Sequence, residues 1–143
     1  MKVSDVMTST VDWAGSKTSV ADAARLMKKD DVGSIPICDN GKVVGMITDR
    51  DIVLNVVAAG KDYNTTLVQE IMSKNIVSVS SNQDVHEAAD LMSQYQIRRL
   101  PVVDQGKLVG ILAIGDLAIE RIHVNEAGDA LSDISRGAHQ NMN

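Results

Sequence analysis

Phenylalanine is absent from this chain, and its aromatic side chains are limited to Trp13, Tyr63 and Tyr95. Any core must therefore be aliphatic, and a bound flat ring would be gripped by dispersion and exclusion of water rather than by stacking. The single cysteine, Cys38, excludes an intrachain disulfide and a cysteine-built metal site. There is no excess of positive charge: 14 Lys and Arg stand against 19 Asp and Glu, a formal net charge of −5. No stretch concentrates Lys and Arg among aromatics, so neither nucleic acid nor an anionic membrane is an expected partner. No apolar run reaches the about 18 residues that would suggest a membrane span, and Met1-Lys2-Val3-Ser4-Asp5 begins no export signal. The expected location is the cytoplasm. What is present is an ordinary globular composition over 143 residues, 44% hydrophobic and 23% charged, which suits one compact domain or two small ones sharing a core.

Sliding the chain against itself by 65 residues aligns two halves without a gap. Val3 falls on Val68 and Met7 on Met72; Val20, Ala23, Ala24, Leu26 and Met27 fall on Val85, Ala88, Ala89, Leu91 and Met92. Pro36, Asp39, Gly41, Lys42, Val44, Gly45 and Asp51 fall on Pro101, Asp104, Gly106, Lys107, Val109, Gly110 and Asp116. The chain reads as a duplication, with a first repeat over 1–64, a second over 65–124, and an unmatched tail over 125–143. Val20, Ala23, Ala24 and Met27 have the i, i+3, i+4, i+7 spacing of one helical face, and their counterparts repeat it. Ser19 with Asp22, and Asp84 with Glu87, mark the helix starts. Two short apolar strands follow in each copy, joined at Asn40-Gly41 and at Gln105-Gly106 in tight turns. Pro36 and Pro101 lack an amide hydrogen and are expected at a strand start or edge. Asp51 to Ala59 and Asp116 to Val124 close the repeats as helices, the first ending near Gly60. In the tail, Ala130, Leu131 and Ile134 suit a short amphipathic helix serving packing or dimerisation. The expected fold class is α/β (α+β), two β-α-β-β-α units packed sheet against sheet about a pseudo-twofold axis.

Val3-Ser4-Asp5-Val6-Met7-Thr8, Val32-Gly33-Ser34-Ile35-Pro36-Ile37, Gly45-Met46-Ile47-Thr48-Asp49-Arg50-Asp51 and Ile97-Arg98-Arg99-Leu100-Pro101-Val102-Val103-Asp104 closely resemble the tandem cystathionine-β-synthase (CBS) domain pair, or Bateman module, in its small stand-alone bacterial type. The resemblance covers residues 1 to about 124. It implies binding of adenosine-containing ligands in the cleft between repeats, and a homodimer. No obligatory cofactor is implied; the ligand is AMP, ADP, ATP or another adenosyl compound. Fold alone does not fix function, so the residues must carry the argument.

Gly45 to Asp51 runs from a strand end into a helix start, where free amides and the helix dipole favour an anion. A Thr48 hydroxyl suits a phosphate oxygen and an Asp51 carboxylate suits the 2′ and 3′ hydroxyls of a ribose, the roles the family pattern gives them. Thr48-x-x-Asp51 is equally a capping box, and Gly45 equally a relief of packing. In the second copy Ala113 replaces the hydroxyl residue and Asp116 keeps the acid, so that site reads as weaker. By the resemblance, Arg98 and Arg99 complete the site of Thr48 and Asp51, while Asp116 faces Gly33 and Ser34. The main site is thus read as Thr48, Asp51, Arg98, Arg99, Gly45, Ile35, Pro36, Ile37 and Met46, and the weaker one as Asp116, Gly110, Ser34, Leu100 and Pro101. Asp49 and Asp51 are read as complements to a helix dipole rather than metal ligands, and His86, His123 and His139 sit on separate elements. The expected function is a non-enzymatic regulatory module sensing energy or metabolite status, acting on an unidentified protein target. The alternative is a scaffold or dimerisation protein with vestigial sites; no nucleophile and base pair or Walker-type segment points to an enzyme.

Overall fold

The apolar periodicity that marks two helices becomes α1, Val20–Asp30, and α3, Val85–Tyr95, in a computed structural model that describes residues 1–119. Ser19 caps α1 by accepting the Asp22 amide at 3.1 Å. Asp84 caps α3 one residue earlier than its spacing from Glu87 implies, accepting the His86 amide at 2.8 Å. The first amides of α1 are also held, Val20 by the Thr66 carbonyl and Ala21 by the Tyr63 carbonyl, each at 2.9 Å. That leaves this helix start no open donor among them.

A hairpin follows each helix. β1, Ser34–Asp39, pairs antiparallel with β2, Lys42–Thr48, placing Ile35 opposite Ile47 and Ile37 opposite Gly45 before a bulge at Ile37/Cys38. β3, Arg99–Asp104, and β4, Lys107–Ala113, form the second antiparallel pair. Asn40 and Gly41 have φ of 54° and 79°, Gln105 and Gly106 of 52° and 81°, the consecutive positive values that a tight right-twisting hairpin turn requires. Pro36 and Pro101 each stand third in a strand rather than first. They are tolerated because one neighbour of each strand is a single bridging residue. Ala14 donates to the Pro36 carbonyl at 3.0 Å and accepts from Cys38 at 2.8 Å; Val79 does the same with Pro101 and Val103, at 3.1 and 2.8 Å. Neither bridge asks for a proline amide, so the missing N–H costs no ladder bond.

Helix α2, Asp49–Ile52, starts two residues ahead of Asp51 and runs on as a π-helical turn over Val53–Val57. Helix α4 spans Ile114–Ile119. The expected continuation to Val124, the tail helix around Ala130, Leu131 and Ile134, and His123 and His139 lie outside the described residues.

Contacts divide the chain into two compact units whose boundaries differ from those of the sequence repeats. The first comprises Asp12–Ile76 with Gly106–Leu108; the second comprises, among the described residues, Met1–Val11, Val77–Gln105 and 109–119. Each unit thus takes the lead-in segment that precedes the other repeat in sequence. In the first, Ser73 bridges Met46 through two backbone bonds of 2.9 Å; in the second, Thr8 bridges Ile111 through two of the same length. The first core gathers Ala14, Val20, Ala23, Met27, Ile35, Ile37, Ile47, Val56, Val68 and Ile71. The second gathers Val3, Val79, Val85, Ala88, Ala89, Met92, Leu100, Val102, Leu112 and Leu117. Val3, on the lead-in, is fully buried there, and its amide bonds the Gln83 carbonyl at 2.8 Å. Gly106–Leu108 join the first unit because Lys107 faces Lys42 in an antiparallel pair and the Val43 amide donates to the Gly106 carbonyl at 3.0 Å.

Candidate functional site

At the junction of β2 and α2, Thr48 and Asp51 form a reciprocal box. The Thr48 amide donates to Asp51 Oδ2 at 2.9 Å, and the Asp51 amide donates to Thr48 Oγ1 at 3.1 Å. Both residues are half-buried. The Asp49 amide donates to the Gly33 carbonyl at 2.9 Å, and the Arg50 amide to Asp49 Oδ1 at 2.8 Å. All three amides that open α2 are therefore taken by the protein, which corrects the expectation of free donors for a phosphate at this helix start. The box still leaves one valence on each side chain. Among the described residues the Thr48 hydroxyl hydrogen finds no acceptor and Asp51 Oδ1 no donor. One donor and one acceptor side by side suit a vicinal diol better than a bare anion. The segment Gly45 to Asp51 carries two carboxylates and one guanidinium, so a phosphate here needs positive charge from outside the segment.

The second unit repeats half of this arrangement. The Ala113 amide donates to Asp116 Oδ2 at 2.8 Å, and the Ile114 amide to the Arg98 carbonyl at 2.8 Å. With a methyl at Ala113, no side-chain oxygen among the described residues caps the Asp116 amide as Thr48 caps Asp51. Within each unit the residues that open the first hairpin strand lie next to that unit's own helix start. Gly33 and Ser34 neighbour Thr48 and Asp49, Ser34 being the register partner of Thr48; Arg98 neighbours Ile114 in the unit that carries Asp116. Arg98 is exposed and Arg99 half-buried.

Two groups of expected ligand residues have other employment. Gly45 leaves room, but a methyl group there would meet Met72 Sδ at 2.6 Å and the Ser73 carbonyl at 2.9 Å. Gly110 has Met7 Sδ and the Thr8 carbonyl in the same places, both at 2.8 Å. The space belongs to the lead-in segments rather than to a ligand. Ile35 and Ile37, expected in the main site, and Leu100, expected in the weaker one, are core side chains with at most 1% exposure. A strand sends alternate side chains to one face, and these alternate positions face the cores. Pro36 and Pro101 are also buried, and Met46 is half-buried.

Sequence reasoning missed a polar link that recurs in both units. The Ser16 amide donates to Asp39 Oδ1 at 3.0 Å, and the Ser81 amide to Asp104 Oδ1 at 3.0 Å, with the Ser81 hydroxyl on Asp104 Oδ2. Hydrogen bonds from the Ser16 amide and hydroxyl, with a lesser contribution from the Lys17 charge, hold the Asp39 carboxyl below the usual carboxylate range. The Ser81 hydroxyl and amide do the same for Asp104. The identity of Asp39 and Asp104 across the duplication is the available signal, but both stand directly before the hairpin turns, where an aspartate needs no further role. Beside Asp39 lies a hollow of about 540 Å³, lined by Gly15, Ser16, Lys17, Thr18, Asp39 and Asn40. The neighbouring Cys38 is buried, and burial, followed by the charge of Asp39, pushes its thiol up, away from the reactive thiolate. Among the described residues, no three His, Cys, Asp or Glu side chains gather as a metal site, and no helix is long and apolar enough to cross a membrane.

The CBS domain family model matches residues 3–58 and 68–122. The chain is 46% identical over 140 residues to the CBS domain-containing protein YhcV of Bacillus subtilis (strain 168), covering 98% of this chain and 97% of that protein. A solved structure of Hypoxic Response Protein I with two coordinated zinc ions matches with a TM-score of 0.78 and 36% identity, over 84% of this chain and 98% of that one. The CBS domain pair of protein MJ0100, solved in complex with 5′-methylthioadenosine and S-adenosyl-L-methionine, matches with a TM-score of 0.73 and 32% identity, over 83% and 98%. With two matched domains spanning most of its length, on the repeated helix, hairpin and helix just described, the chain belongs to the CBS domain family.

Proposed function

We propose that the chain is a non-enzymatic regulatory module that binds an adenosine-containing ligand, AMP, ADP, ATP or a related adenosyl compound. The observation that carries this reading is the Thr48–Asp51 box, which keeps one hydroxyl donor and one carboxylate acceptor for a ribose while starting its helix. The adenosyl ligands bound to the CBS pair of MJ0100 support the same ligand class. Arg98 and Arg99 supply the positive charge that phosphate-bearing ligands require and that the Gly45 to Asp51 segment lacks. The Ala113 copy, with its acid but no hydroxyl, is the weaker site. Isothermal titration with AMP, ADP, ATP and S-adenosylmethionine tests this. Asp51→Asn keeps an oxygen for the Thr48 amide but loses the charge that holds a ribose hydroxyl. It is expected to weaken binding by about 10- to 100-fold, the worth of a charge-assisted hydrogen bond, whereas Asp116→Asn changes it little. A double-mutant cycle between Asp51 and Arg99 with AMP reads whether both act on one ligand. Equal losses at the two acids would contradict the asymmetry.

A second reading is favoured by the filled amides at the start of α2: a scaffold whose sites are vestigial. No heat with any adenosyl compound would establish it.

For assembly, we propose a homodimer through the extension of α2, where Val53, Leu54 and Val57 are 54%, 48% and 64% exposed. Val53 and Val57 share one face of the π-helical turn with Leu54 beside them, an apolar stripe of the kind that marks an interface. Val57→Glu places an unpaired charge in that stripe. It is expected to convert a wild-type dimer to monomer in sedimentation velocity; a monomeric wild type would reject the dimer.

A further inference from the structure

The duplication supplies an internal comparison that bears on the hollow beside Asp39. The turn leading into α3 runs Ser80-Ser81-Asn82-Gln83, and its counterpart before α1 runs Gly15-Ser16-Lys17-Thr18. The two turns share their backbone bonds, Gln83 amide to Ser80 carbonyl at 3.2 Å and Thr18 amide to Gly15 carbonyl at 3.1 Å. They also share the Ser-to-Asp link. They differ in what holds the amide of the turn's first residue. In the second unit the Gln83 side chain folds back and its Oε1 accepts the Ser80 amide at 2.7 Å. In the first unit the residue at that position is Thr18, too short to do so, and the Gly15 amide finds no acceptor among the described residues.

We infer that the hollow at Gly15, Ser16, Lys17, Thr18, Asp39 and Asn40 is a further ligand site, in which a carboxylate or phosphate oxygen of a small molecule takes the place that Gln83 Oε1 fills in the second unit. Its donors are the Gly15 amide, the Thr18 hydroxyl and the Lys17 ammonium, three groups that suit an anionic oxygen. The adverse charge is Asp39. Its Oδ1 is held by the Ser16 amide, the Ser16 hydroxyl bonds the same carboxylate, and Lys17 lies close enough to offset it. The Asn40 amide and the remaining lone pairs of Asp39 face a hydroxyl or ammonium group on the same ligand, so a small hydroxy acid, amino acid or phosphorylated metabolite is the class it takes. About 540 Å³ is room for such a molecule. No residue of the Thr48–Asp51 site takes part, so this site stands or falls separately from adenosyl binding.

The test uses the full chain, ¹⁵N-labelled, titrated with inorganic phosphate, with acetate and with glycine. Saturable shifts confined to the amides of Gly15, Ser16 and Lys17 are expected with at least one probe, at about millimolar dissociation constants. Thr18→Gln, which installs the second unit's side chain, is expected to weaken them at least about tenfold. Gln83→Thr, which frees the Ser80 amide, is expected to create a matching response at Ser80 to Asn82. No saturable shift with any probe, or shifts that survive Thr18→Gln unchanged, would overturn the site. A Gln83→Thr protein that gains no response would overturn the stand-in argument. Unchanged adenosyl binding by Thr18→Gln shows that the two sites are separate.

Discussion

Deletion of Met1–Val11 is expected to unfold the second compact unit, although those residues precede the first repeat in the sequence. They supply the fully buried Val3, the Val3–Gln83 and Ser4–Ser81 backbone bonds, and both bonds of the Thr8–Ile111 bridge. Their loss strands the Ile111 and Val85 amides, which now donate to Thr8 and Met1. Burial of one valine is worth about 1.5 to 3 kcal/mol, and each orphaned buried donor costs about 1 to 3 more. The sum is of the order of a small domain's whole stability. Hydrogen exchange is the measurement: amides of α3 and β4 should lose protection first. Full protection of both elements in the truncated chain would show that the lead-in is dispensable. Val3→Ala is the milder version, with a loss of about 1 to 3 kcal/mol.

Gly45→Ala and Gly110→Ala are each expected to cost about 1 to 3 kcal/mol, and the valine versions more. The added carbon at position 45 meets Met72 Sδ at 2.6 Å and the Ser73 carbonyl at 2.9 Å; at position 110 it meets Met7 Sδ and the Thr8 carbonyl, each at 2.8 Å. A methionine tip yields cheaply, but the carbonyls belong to the Met46–Ser73 and Thr8–Ile111 bridges, so the lead-in must lift from its strand. Gly115→Ala serves as the control. Nothing lies within 4 Å of its new carbon, and inside α4 alanine is favoured over glycine by up to about 1 kcal/mol. One substitution type should therefore lower the melting temperature by several degrees at two positions and raise it at the third. Uniform effects across the three would mean that crowding does not decide the outcome.

The contrast between these glycines marks how far the sequence could be read. The helices, hairpins and turns were legible because each rests on local periodicity or on Asn-Gly and its Gln-Gly counterpart. The duplication doubled every such signal. The exchange of lead-ins was not legible, because Val3 to Met7 and Val68 to Met72 are versions of one motif, and either would complete either unit. At the candidate site the Thr48–Asp51 spacing announced its box, and the box is there. What stayed hidden was the Gly33 carbonyl on the Asp49 amide, a contact between residues far apart along the chain that closes the opening a phosphate was expected to use. Ile35 and Ile37 are ambiguous for the opposite reason. An aliphatic strand residue looks the same whether it faces a core or a ligand, and only the second layer decides.

The exchanged lead-ins also set an order of events at the ribosome. Asp12–Ile76 holds nearly all of the first unit in one continuous stretch, so that unit has its parts once the chain has emerged a little past Ile76. Thr8, made earlier, must wait for Ile111, about a hundred residues further along the chain, before the two can form their bridge. Residues made ahead of the first unit are thus the last to find their place, and a bulky group attached next to Met1–Val11 would delay the later-folding half of the nascent protein rather than the half beside it.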